Sequence, residues 1–205
     1  MSKKPAHLRL ALTAALASAA LATLAHAAPT DPAAAKIDSL DNALIETMKA
    51  GKSAGAEGRY KLMTPAVESA FDLPAMLRVA VGPDWTKIAP ADQQALAAAY
   101  RRYAIANYAK NFNGYSGQKF IIAPEVQVRG ADKLVKTQLT GGGTDVALAY
   151  RMRDNGDGWK VVDVFYNGSI SQLATQRSDF ASTLSNGGAK ALVTKLNAQS
   201  DKLLK

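Results

Sequence analysis

Residues 144–167 read TDVALAYRMRDNGDGWKVVDVFYN. Two runs, Thr144–Arg153 and Trp159–Asn167, alternate with a period of two. Between them, Asp154-Asn155-Gly156-Asp157-Gly158 is turn material, so the stretch reads as a β-hairpin. With the turn centred on Gly156, Arg153 opposes Trp159, Tyr150 opposes Val162 and Leu148 opposes Val164. This register gathers Val146, Leu148, Tyr150, Val162, Val164 and Tyr166 on one apolar face.

Working outward, Lys133–Thr140 and Gln118–Val128 also alternate, and Gly141-Gly142-Gly143 and Gly130-Ala131-Asp132 supply the connections. Connections this short make the four strands an antiparallel meander. Upstream, the period changes to about 3.6. Helices are predicted over about 32–50, 59–70, 73–81 and 90–112, with Asp72 as the N-cap of the third. In the fourth, Leu96, Tyr100, Tyr103, Ala104, Tyr108 and Phe112 recur at three- and four-residue spacing and form one stripe. Downstream, a helix is predicted from Ser169 to about Leu184, then a break at Gly187-Gly188, then a helix from Ala189 to Leu204. Runs of like elements indicate an α+β domain, with helices covering one face of a four-stranded antiparallel sheet.

The first 27 residues read as a cleavable signal peptide. Lys3, Lys4 and Arg9 precede an uncharged apolar run from Leu10 to Leu24, and Ala25-His26-Ala27 offers a small-x-small cleavage site. A single domain is then expected over residues 28–205, exported to the periplasm. The whole chain has 25 Lys and Arg against 17 Asp and Glu. Removing the three basic residues of the leader leaves a formal +5. Both histidines, His7 and His26, lie in the leader, and there is no cysteine. The expected mature chain therefore has no Ser-His-Asp or Cys-His nucleophile, no zinc site built on His and Cys, and no haem with a His or Cys ligand. No metal and no other cofactor is expected. Its mild, dispersed positive charge on an exported chain fits nucleic acid poorly.

Two readings of the apolar face stay open on pattern alone. It packs as a solid core under the tyrosine stripe of the fourth helix, or it walls a cavity beneath that stripe. Asp163 is the one acid within the last apolar strand. It serves either as a general base or as a structural partner of Arg151 or Arg177, and the ion pair with Arg177 is the expectation, because a buried carboxylate without a partner is costly.

Several stretches resemble a known family. Trp159-Lys160-Val161-Val162-Asp163-Val164, Gly168-Ser169, Arg177 and Phe180 resemble the closing motif of the MlaC-type periplasmic lipid carriers, also called toluene-tolerance auxiliary proteins. Gly82-Pro83-Asp84-Trp85, Ala89-Pro90 and Gln93-Gln94 resemble that family's middle section, and Tyr115-Ser116-Gly117-Gln118-Lys119 its helix-to-strand junction. Asn167 and Gln176 depart from the common pattern and look more like the hopanoid-associated HpnM branch. The resemblance implies a cone-like fold with a curved sheet and a deep apolar pocket between sheet and helices. It also implies a phospholipid or hopanoid-like lipid as cargo, an inner-membrane ABC transporter complex and an outer-membrane lipoprotein complex as partners, and no catalysis. On that footing the lipid-binding residues are expected to be Met76, Leu77, Leu96, Tyr100, Tyr103, Ala104, Tyr108, Val146, Leu148, Tyr150, Val162, Val164 and Tyr166. The alternatives are a cone-fold enzyme acting on an apolar small molecule and a periplasmic protein-binding adaptor.

Overall fold

A computed structural model describes residues 29–205; the expected signal peptide, residues 1–27, lies outside the described residues. Helix α1 spans Pro32–Ala50. Asp31 caps it by accepting from the Ala33 N–H at 2.8 Å, Pro32 takes the first turn, and Gly51, at φ 55°, ends it. Helix α2 spans Gly55–Ala70, and its buried residues Arg59, Met63, Val67 and Ala70 recur at four- and three-residue spacing. Helix α3, Leu73–Val81, begins at Asp72, whose carboxylate accepts from the Ala75 N–H at 3.0 Å as predicted. Helix α4 spans Pro90–Asn111.

The sheet comprises β1 (Lys119–Ile122), β2 (Gln127–Arg129), β3 (Asp132–Thr140), β4 (Val146–Asp154), β5 (Trp159–Tyr166) and β6 (Ile170–Ser171). The pairings between these strands are antiparallel, in the order β1-β3-β4-β5-β6, with β2 also on β3. The predicted first strand is two strands. The Ala123 N–H still reaches the Lys136 carbonyl at 2.9 Å, but Pro124 has no N–H to continue the ladder, and pairing resumes only at Gln127. With the short β6, which was not expected, six strands replace the expected four.

The register of the deciding hairpin also differs from expectation. Asp154 pairs with Trp159, its carboxylate accepting from the N–H groups of Gly156 and Gly158 in the loop, and the register is shifted by one residue from the predicted one. A β-bulge follows. Arg151 faces Asp163 while Met152 faces Val161, so Val162 is the extra residue without a partner. The two one-residue offsets add, and Tyr150 opposes Val164 while Leu148 opposes Tyr166. Their common face survives, and only Val162 leaves it.

Helix α5, Gln172–Leu203, breaks at Gly188 (φ 65°, ψ −165°), at the predicted place. Its cap is Ser171, accepting from the Ala174 N–H at 2.9 Å, two residues beyond the predicted start at Ser169. The reason is that β6 carries the chain two residues further before the helix starts. Helix α4 packs on α2 and α5, and α1, α2, α3 and α5 all reach β5. The core lies between them, with Ile37, Leu40 and Leu44 of α1, Leu96 and Ile105 of α4, Val135 of β3, Met152 of β4 and Val161 of β5 almost fully buried. Among the described residues no helix is long and apolar enough to cross a membrane.

Candidate functional site

The helices do not close fully on the sheet. A cavity of about 290 Å³ lies between α2, α3, α4, β4, β5 and the start of α5. This is near the lower edge of the usual range of small-molecule sites, about 300–1,000 Å³. Its floor is made of buried side chains: Val67, Phe71, Leu73, Met76, Tyr100, Leu148, Tyr150 and Val164. Its upper wall is half-buried or exposed: Tyr103, Ala104, Asn107, Tyr108, Asn111, Phe112, Tyr166, Gln172 and Gln176. No lining side chain carries a formal charge at neutral pH.

Aromatic rings shape the wall. Phe71 lies 5.4 Å from Tyr108, which stacks with Phe112 at 6.0 Å. Tyr100 meets Phe180 edge-on, and its hydroxyl donates to Gln176 Oε1 at 2.8 Å, joining α4 to α5 at the rim. Burial pushes the phenols of Tyr100, Tyr108, Tyr150 and Tyr166 up, the last least enclosed, so none ionises near neutral pH. Asn107 is turned back on its own helix, donating to the Tyr103 carbonyl at 2.8 Å. The arrangement is an uncharged aromatic and aliphatic slot edged by amides.

Of the expected binding residues, Met76, Tyr100, Tyr103, Ala104, Tyr108, Leu148, Tyr150, Val164 and Tyr166 line the cavity. Four do not. Leu77 and Leu96 point into the solid part of the core and are 1% and 0% exposed. Val146 sits opposite Leu139, away from the slot, and Val162 is displaced by the bulge. The amides Asn107, Asn111, Gln172 and Gln176 were missed, as were Val67, Phe71 and Leu73. Asn107 and Asn111 follow Tyr103 at four-residue steps, so the helical stripe itself held the signal for those two.

The expected ion pair of Asp163 and Arg177 does not form. Asp163 is buried, but it accepts from the Val164 N–H at 2.8 Å, the Ser171 hydroxyl at 2.7 Å and the Leu173 N–H at 3.2 Å. The turn from β6 into α5 brings those donors to it, so no counter-charge is required. Arg177 is exposed and lies over Gly82, where an added Cβ would come 3.5 Å from its Nε. Arg151 reaches Asp132 only at 3.8 Å.

The family model described as MlaC protein matches residues 38–198. Among solved structures, a phospholipid-binding protein from Ralstonia solanacearum, determined in complex with a phospholipid, superposes with a TM-score of 0.74 at 23% sequence identity. The match covers 85% of this chain and 100% of that one, and it shows a common fold.

Proposed function

The chain belongs to the MlaC family, and from that premise we propose that it is a lipid carrier of the periplasm. It takes one apolar tail or polycyclic body into the slot and leaves the polar head at the amide-edged rim. One observation carries this reading: the slot has a buried aromatic and aliphatic floor and no charged side chain in its lining. Burying a methylene is worth about 0.8 kcal/mol, so a tail of about 16 carbons gains roughly 12 kcal/mol on leaving water. A bilayer buries the same tail as well, so transfer between membrane and carrier is nearly balanced. Direction must then come from partners, an inner-membrane ABC transporter complex and an outer-membrane complex on this reading. The solved relative holding a phospholipid supports a lipid as cargo. The cargo here is a phospholipid or a hopanoid-like lipid.

An acid–base enzyme on the same frame is less well supported. Asp163 is outside the cavity lining and its oxygens are occupied by the start of α5. Burial makes Tyr100, Tyr108, Tyr150 and Tyr166 of the lining hold their protons tightly.

Purification from native membranes-containing cells, followed by solvent extraction and mass spectrometry, tests the proposal. A lipid close to one per chain is expected, lost when Leu148 or Tyr150 is replaced by a charged residue in a variant that still folds. Protein that emerges empty, and that takes up no lipid from vesicles, overturns it.

A further inference from the structure

The slot is smaller than the tail it would carry. A cavity of about 150 Å³ holds one benzene, which is six carbons. By that measure 290 Å³ holds roughly twelve carbons, short of a tail of about 16. A second hollow lies behind part of the floor. It is an open cleft of about 370 Å³ between the end of α2, the start of α3, the first half of α4 and β5. Phe71 and Leu73 belong to both linings, so these two side chains form the partition between slot and cleft. On the cleft side Pro74, Ala97 and Ala98 offer an apolar surface, and both alanines are exposed. Two of the charges at its edge, Arg101 and Glu68, are already paired with each other. Ala97 lies seven residues before Ala104, which lines the slot, so the two share one face of α4, about 10 Å apart along its axis. The cleft therefore continues the slot along α4 toward that helix's N-terminus.

The partition is made of side chains on an anchored backbone. Phe71 bridges to Val161, the Asp72 N–H donates to the Val161 carbonyl at 2.9 Å, and the Asp72 carboxylate caps α3. Clearing a way through takes rotation of Phe71 or Leu73 about side-chain bonds and no change in the fold. Leu73 is 8% exposed, the most of any buried apolar residue described. Resting on the carrier reading, we propose that the cleft is an extension of the lipid site. The far end of a tail longer than about twelve carbons turns Leu73 or Phe71 aside and lies against Pro74, Ala97 and Ala98. The occupant is the tail of the lipid whose head stays at the rim. The slot is too small for all of that tail, the cleft starts at the same two side chains, and the surface beyond them is apolar. An open-sided cleft covers each methylene only in part, so a carbon gains less there than in the slot.

The test titrates the delipidated full chain with monomeric lysophosphatidylcholines whose tails run from about 8 to about 16 carbons. Transfer out of water strengthens binding about fourfold for each methylene fully buried. Affinity should rise at that rate up to about twelve carbons, and at about twofold per methylene from there to about 16. A sealed floor ends the rise at about twelve. Ala98→Trp fills the cleft from an exposed position outside the slot. It should leave the shorter lipids unchanged and remove the later rise, a loss of about 16-fold for the longest lipid. The chain has no cysteine, so Ala98→Cys gives a single reporter in the cleft and provides the reading should the tryptophan disturb α4. The longest lipid should slow its alkylation several-fold, and the shortest should not. If the rise stops at about twelve carbons in the natural chain, or if either variant responds to long and short lipids alike, the extension is overturned and the cleft belongs to something other than the tail. If no lipid of any length binds, the carrier reading falls, and the extension with it.

Discussion

Asp41 and Asp163 are both 4% exposed, yet their surroundings are opposite. Asp163 accepts from two backbone N–H groups and one hydroxyl, and so fastens β5 to the start of α5. Asp41 accepts from none among the described residues. A buried carboxylate with three donors is a structural fastening, because the donors replace the water it lost. The same group without donors is a standing cost. The difference teaches that burial of an acid does not reveal its role; the count of donors around it does.

The largest expected effect is on pH dependence. Burial, with the nearby charge of Asp38 adding to it, pushes the Asp41 carboxyl from its usual 3.8 up to about 8. In the unfolded chain the group ionises near 3.8, while in the folded chain it stays protonated to about 8. Rising pH between those values therefore favours the unfolded state. The stability is full below about pH 4 and is reduced by about 5 kcal/mol by pH 8. Urea unfolding at pH 5 and pH 9, for the natural chain and for Asp41→Asn, isolates this contribution. The variant should lose several kcal/mol less across that interval. Parallel profiles would show that Asp41 has partners after all and would erase the contrast with Asp163.

A smaller loss is expected at the satisfied acid. Asp163→Ala leaves the Val164 and Leu173 N–H groups and the Ser171 hydroxyl without their acceptor, and about 3 kcal/mol of stability should go. Asp163→Asn keeps an acceptor and should cost roughly half as much. Denaturant midpoints measure both. A neutral Asp163→Ala would mean that water takes over the three donors, and the fastening role would be lost.

Sequence reading reached these two acids unequally, for a physical reason. Asp163 stands out because it interrupts a continuous apolar strand. Asp41 sits at a four-residue step from Ile37 and three before Leu44, inside the buried stripe of α1, but a polar residue in an amphipathic helix is ordinarily assigned to the wet side. The helix bounds of α1, α3 and α4 were legible from proline, aspartate and glycine signals, and the tyrosine stripe marked α4 as one wall of the slot. The face shared by Leu148, Tyr150, Val164 and Tyr166 was legible because period-two alternation survives a two-residue shift. The bulge at Val162 was not legible, since a strand's composition does not show which residue will be left unpaired. The wall from α2 was missed because Val67 lies on the buried line of a helix with a weak apolar pattern, and Phe71 follows its last turn. That the helices stop short of the sheet was beyond reach as well, since a filled core and a hollow present the same inward residues.

The smallest effects carry the contrast from carboxylates to hydroxyls, and here the sign is the readout. Tyr100 and Thr137 are both almost fully buried, but the Tyr100 hydroxyl donates to Gln176 at 2.8 Å while Thr137 Oγ1 has no partner among the described residues. Tyr100→Phe removes a made hydrogen bond and strands the Gln176 carbonyl oxygen at the rim, so a loss of about 1 kcal/mol is expected. Thr137→Val removes an unmade bond, keeps the shape, and places a better strand former opposite Leu148. A gain of up to about 1 kcal/mol is expected in lipid-free protein. If both substitutions destabilise alike in thermal or urea unfolding, then Thr137 has found a partner. Opposite signs would show that the Thr137 hydroxyl is buried at a cost while the Tyr100 hydroxyl is held by its bond to Gln176.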